Sequence, residues 1–144
     1  MSGASPAERT PGVAALHPRR AWPWAVGALA WAAFIYWASS RPNPFPFVPP
    51  AFWALDKLVH AGTYAVLGAL VRLAVAGTAR ALRPGAALAL AVAITACYGA
   101  TDEWHQAHVP NRSADPLDWA ADLAGGLAGA VLASAFLRRR ADGA

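Results

Sequence analysis

Most of the side chains in this chain that can do chemistry fall in three short segments. Asp56, His60 and Tyr64 stand at i, i+4 and i+8, the spacing of one helix face. An imidazole with a carboxylate one turn away is a general acid or base whose partner orients or charges it. The same pattern also serves as a helix-start carboxylate and a packing hydrogen bond. Asp102 and Gln106 are again one turn apart, with Glu103 and His105 beside them. Adjacent carboxylates repel, so one of the pair can stay protonated and act as an acid. The pair could instead flank a divalent cation with His105 or His108. That spacing fixes no ligand set, and no metal site is assigned. Asp115, Asp118 and Asp122, at i, i+3 and i+7, share a third face, preceded by Arg112. Arg112 reads as an ion-pair partner of Asp118 or Asp122, or as a planar fork for a phosphate or carboxylate on a substrate.

The candidate catalytic groups are therefore His60 and Glu103, with Asp56 and Asp102 as orienters. The candidate binding groups are Arg112, Gln106, Asp118 and Tyr64, with Asp122 secondary. Lys57 reads as an interfacial anchor, Ser39 and Ser40 as groups that cap or solvate a helix end, and Cys97 as a small hydrophobe. One cysteine excludes a disulfide scaffold and a CxxC metal site. No cofactor is specified.

The elements that carry these groups are apolar. Of 144 residues, 57% are hydrophobic and 14% charged, against about 25% charged in soluble domains, which excludes a disordered chain and disfavours an ordinary soluble domain. Four apolar stretches, at Trp22–Ser40, Leu58–Thr78, Gly85–Thr101 and Trp119–Leu137, each approach the roughly 20 residues that span a bilayer as a helix. The expected architecture is all-α, a polytopic membrane protein with four transmembrane helices over residues 21–138. Residues 1–20 are expected to form a disordered tail and 139–144 a basic tail. The first helix is longer than a signal-peptide core and is read as retained. The segment after it, with Pro42, Pro44, Pro46, Pro49 and Pro50, is a loop. Ala121, Gly125 and Gly129, four apart, form a small-residue face for close helix contact.

Arg9, Arg19, Arg20, Arg80, Arg83 and Arg138–Arg140 fall on one side of this arrangement, which places both termini in the cytoplasm and the chain in the cytoplasmic membrane. Arg72 is expected to snorkel to the same face. The +4 formal charge is thereby a topology signal, not a nucleic-acid footprint. Asp56, Asp102, Glu103, Asp115, Asp118 and Asp122 and His60, His105 and His108 gather on the other, outer side, with Trp37, Trp53, Trp104 and Trp119 as an interfacial belt, while Glu8 and Asp142 lie in the terminal tails.

Four blocks then resemble the VanZ-like family. They are Ser39-Ser40-Arg41-Pro42; Asp56-Lys57-x-x-His60-x-x-x-Tyr64-x-x-Leu67-Gly68; Tyr98-Gly99-x-x-Asp102-Glu103-x-His105-Gln106-x-x-Val109-Pro110-x-Arg112; and Asp118-Trp119-x-x-Asp122-x-x-Gly125-x-x-x-Gly129. They cover about residues 36–130 in order. Asn111 stands where the family pattern often has glycine, and Asp122 where it often has asparagine. The resemblance implies a small integral membrane protein. The family's namesake is linked to teicoplanin resistance without a known reaction, so resistance by this chain is not implied.

The expected function is at the bacterial cell envelope. A polar pocket at the outer membrane face would bind or modify a lipid-linked or surface substrate. The alternative is a non-enzymatic binding or structural protein that masks an envelope target, and enzyme activity stays open. The expected partners are membrane lipids and that substrate, with no nucleic acid. A homodimer suits so small a bundle. A proton relay is disfavoured for want of charged stepping stones across the membrane.

Overall fold

A computed structural model describes residues 21–42, 53–79 and 81–143. The tail at 1–20 and the proline-rich loop at 43–52 lie outside the described residues, as do Arg80 and the Trp53 side chain. Among the described residues the secondary structure is four helices: α1 (Trp22–Ser39), α2 (Trp53–Thr78), α3 (Pro84–Gln106) and α4 (Pro116–Asp142). Proline opens α1, α3 and α4, where its missing N–H has no helical partner to lose. Asp115 caps α4, its Oδ1 accepting from the Leu117 N–H at 2.9 Å.

Among the described residues, three helices are long and apolar enough to cross a membrane, at Leu55–Thr78, Pro84–Gln106 and Pro116–Asp142. This makes the chain a multi-pass membrane protein. α1 is a charge-free helix of 18 residues but is not one of these three. Four tryptophans, Tyr36 and Pro23 dilute its apolar content. The helices also outrun the apolar stretches that announce them. α2 begins before Asp56, α3 continues through Gln106, and α4 runs from Pro116 through the arginines to Asp142. A helix ends where its backbone bonds end, not where its side chains turn polar.

The tightest packing is between α2 and α4. A β-carbon on Gly125 would strike the backbone of Ala61, one on Gly129 that of Ala65, and one on Gly68 that of Gly126. The small-residue face of α4 thus meets α2 at backbone contact, where dispersion and Cα–H···O contacts replace the hydrophobic drive that lipid does not supply. α1 is tied on by its aromatic neighbours: the Trp31 indole N–H donates to the Thr63 carbonyl at 2.9 Å, and the Tyr98 hydroxyl to that of Ala32 at 2.6 Å. Tyr64, Leu67, Val71, Ala91 and Ala130 form the core, while Leu29, Leu58, Leu132 and Phe136 stay exposed, as lipid-facing side chains do.

Arg72 does not snorkel. It is 3% exposed, and its Nε donates to the Ser134 hydroxyl at 2.8 Å. The close α4 covers the face on which the side chain would have run outward.

Gly125→Ala is expected to lower stability by about 1–3 kcal/mol, because the added methyl meets backbone that cannot rotate away. Gly62 has open space around it. Gly62→Ala is therefore expected to be neutral or to stabilise by up to about 1 kcal/mol. Thermal unfolding in detergent compares the two.

A polar site at one end of the bundle

The C-terminal ends of α1 and α3 and the N-terminal ends of α2 and α4 meet at one end, and two polar groupings form there. The first centres on Asp102, which is 5% exposed. Its Oδ2 accepts from the Ser39 hydroxyl at 2.9 Å, the Gln106 amide at 3.0 Å and the Tyr64 hydroxyl at 3.3 Å. Arg112 donates through Nη2 to the Gln106 carbonyl oxygen at 2.7 Å. These side chains and His60 line a cleft of about 50 Å³ whose apolar wall includes Phe34, Ile35 and Val59. That is room for a few waters or one small polar group.

The second grouping lies between α2, α3 and α4. His60 Nδ1 is 2.9 Å from Asp122 Oδ1, and its Nε2 is 3.9 Å from Asp118 Oδ1. Lys57 donates to Asp115 Oδ2 at 2.7 Å and also to Asp118 Oδ1. The Asp115 N–H donates to Glu103 Oε2 at 2.8 Å. Asp115 is thus a clasp, capping α4 with one oxygen, binding Lys57 with the other and holding Glu103 through its backbone. The Lys57 ammonium, then the Leu117 N–H, hold its carboxyl below the ordinary carboxylate range.

Two contacts that the spacing allowed are not formed. Asp56, expected to orient His60, is exposed and lies 3.6 Å from Lys57, while the imidazole Nδ1 hydrogen-bonds the Asp122 carboxylate. The i, i+4 spacing aligns Asp56 and His60, but α4 approaches closely enough for Asp122 to reach the ring first. Arg112 pairs with neither Asp118 nor Asp122; it bonds Gln106, and Lys57 takes Asp118. Lys57 is therefore a cross-helix tether beyond any anchoring role. Ser39 is buried against Asp102 and not solvated. His105 and His108 stand apart from the carboxylates: His105 Nε2 is 3.0 Å from the Ser40 hydroxyl, and His108 Nδ1 is 2.8 Å from the Trp104 carbonyl oxygen. Among the described residues, the groups that could hold a metal ion are His60 with Glu103 and Asp122, and His60 with Asp56 and Asp118.

A family model described as VanZ/LLP1 matches residues 7–138. The chain belongs to the VanZ/LLP1 family. Among curated proteins and solved structures, none matches it. The matched region of this VanZ/LLP1 chain holds both polar groupings. Asn111, the residue in the glycine position of the family pattern, has φ +63°. Glycine adopts that left-handed geometry freely, and asparagine tolerates it better than most residues do. The turn it makes brings Arg112 back over Gln106.

Sequence reasoning gave Lys57, Asp115 and Ser39 no site role. The only signal for Lys57 and Ser39 was that each sits in one of the family blocks, and Asp115 lies just outside them. Lys57→Met is expected to cost about 1 kcal/mol near neutral pH, since it removes partly exposed charged hydrogen bonds. The Asp115 share of that loss has a definite sign. A carboxyl lowered in the fold stabilises above its unfolded pKa of about 3.9, and the gain disappears as pH falls through the lower, folded value. The gap in thermal midpoint between Lys57→Met and the parent should therefore narrow in strong acid. Asp56→Asn, at an exposed position, should change the midpoint little.

Proposed function

We propose that this VanZ/LLP1 protein binds an anionic group of a lipid-linked or surface molecule in its polar cleft, at the outer face of the cytoplasmic membrane. The observation that carries this reading is Arg112. Its guanidinium lines the cleft, is held in place by Gln106, and forms no ion pair with an acid among the described residues. A planar cation positioned by a neutral amide keeps its fork for a phosphate or carboxylate. The clasp of Lys57 on Asp115 and Asp118 supports the same reading, because it occupies the acids that would otherwise compete for Arg112.

In this proposal α1 is a fourth crossing, and both termini are cytoplasmic. The support is the basic run Arg138–Arg140 at the end of α4 and Arg83 at the start of α3, both opposite the polar end. Chemistry on the bound molecule would fall to His60, which lines the cleft and is oriented by Asp122, with Glu103 beside it as the second acid/base group. The non-enzymatic alternative keeps the same cleft and masks the bound group.

Native mass spectrometry of the protein in mild detergent tests the binding. A phosphate- or carboxylate-bearing lipid should be retained by the parent and reduced about tenfold or more in Arg112→Ala, the loss expected for a charged hydrogen bond. Equal retention by both proteins would overturn the reading. Topology is tested in a Cys97→Ala background: a cysteine at His108 should react with an impermeant thiol reagent on intact cells, and one at Gly143 only after lysis. Turnover of the retained lipid, lost in His60→Ala, would favour the enzyme over the mask.

A further inference from the structure

Two buried carboxylate oxygens in the second grouping have no hydrogen-bond partner among the described residues: Glu103 Oε1 and Asp122 Oδ2. Their residues are 8% and 1% exposed. Each carboxylate has one oxygen satisfied, Glu103 by the Asp115 N–H and Asp122 by His60. An unsatisfied anionic oxygen is among the most costly atoms to bury, and in a bundle that crosses a membrane water does not freely repair it. The surrounding charge deepens the imbalance. Asp56, Asp102, Glu103, Asp115, Asp118 and Asp122 converge on this end, while the arginine and lysine that hydrogen-bond into it are Lys57 and Arg112. Lys57 is engaged with Asp115 and Asp118, and Arg112 with Gln106.

We propose that His60, Glu103 and Asp122 bind a divalent cation of the Mn²⁺, Fe²⁺ or Zn²⁺ class at this end of the bundle. The donor atoms of the three residues all lie within 4.8 Å of one another. Ligands about 2.0–2.2 Å from one tetrahedral ion stand about 3.3–3.6 Å apart, so side-chain shifts of up to about an ångström close the site. One imidazole nitrogen with two carboxylates suits a first-row transition ion, whereas Ca²⁺ and Mg²⁺ favour all-oxygen sites. Asp118 Oδ1 lies 3.9 Å from His60 Nε2, beyond hydrogen-bond distance, and acts on the ring as a nearby negative charge. Three protein ligands also leave a coordination position open, and His60 borders the cleft.

The three ligands come from three helices, so no sequence spacing announces the site. It is distinct from the group of His60 with Asp56 and Asp118, where Asp56 is exposed and Lys57 already holds Asp118. The inference does not depend on anion binding by Arg112, and with the ion bound His60 and Glu103 serve as its ligands in place of the acid/base roles given them above.

The test is calorimetric titration of the chelator-stripped, full-length protein in detergent with Zn²⁺ and separately with Mn²⁺, with metal content measured after dialysis. One ion of either metal per chain is expected. Glu103→Gln and Asp122→Asn should each weaken binding by at least about 100-fold, and added ion should raise the thermal midpoint of the parent but not of these variants. The midpoints of the ion-free proteins report folding independently. Should Glu103→Gln fail to fold, Glu103→Asp keeps the charge, moves the ligand and should still weaken binding. Asp56→Asn and Arg112→Ala should bind as the parent does, so failure of the anion reading and failure of the cation site are separable. No stoichiometric uptake of either metal would overturn the proposal. So would full affinity in Glu103→Gln or Asp122→Asn, or loss of binding in Asp56→Asn alone.

Discussion

The contact between α2 and α4 at backbone distance is the constraint on which the rest depends. Gly125 and Gly129 lie where any side chain would meet the Ala61 and Ala65 backbone, and Gly68 faces Gly126 in the same way. In lipid the helices gain nothing by hiding apolar surface from water, so close approach must come from shape. The approach sets more than packing. It brings Asp122 to His60, lets Lys57 on α2 reach Asp115 and Asp118 at the start of α4, and seals Arg72 against Ser134. A larger residue at any of the three glycines would move the chemistry along with the helix.

Around that pair, the polar end divides its work. Asp102 is enclosed by the Ser39 and Tyr64 hydroxyls and the Gln106 amide, which ties α1, α2 and α3 together at the edge of the cleft. Asp115 does the same for α2, α3 and α4 through Lys57 and Glu103. His60 belongs to both groupings, lining the cleft while bonded to Asp122. Satisfied hydrogen bonds make most of this assembly read as a structural device. Arg112, without an acid, and the bare oxygens of Glu103 and Asp122 are the exceptions. Exceptions of this kind in a membrane bundle are where ligands are to be sought.

The VanZ/LLP1 membership fits this division. The blocks that carry the family resemblance hold the tethering residues Ser39, Lys57, Tyr64, Asp102 and Gln106 together with the exceptional ones, His60, Glu103, Arg112 and Asp122. In this chain the blocks also hold Gly68, Gly125 and Gly129, so they carry both the polar end and the α2–α4 contact that assembles it.

The sequence by itself determined the helical class, the membrane setting, the helix–helix face of α4 and the family. These follow from properties that act along the chain: apolar runs long enough to span a bilayer, small residues four apart, and residue blocks in fixed order. It also located the polar groups at one end, because antiparallel helices bring alternate ends together. It did not determine which groups touch. The i, i+4 relation favoured Asp56 for His60 and treated Asp122 as secondary, and for Arg112 the sequence left an ion pair with Asp118 or Asp122 open beside the ligand-binding role. Tertiary structure decided which contacts form, since contacts between helices depend on their separation and rotation, set by the α2–α4 packing. The same cause buried Arg72, which a lone helix would have let reach the surface, and gathered His60, Glu103 and Asp122 from three helices. Spacing within a helix fixes which residues share a face; only the packed bundle fixes what that face meets.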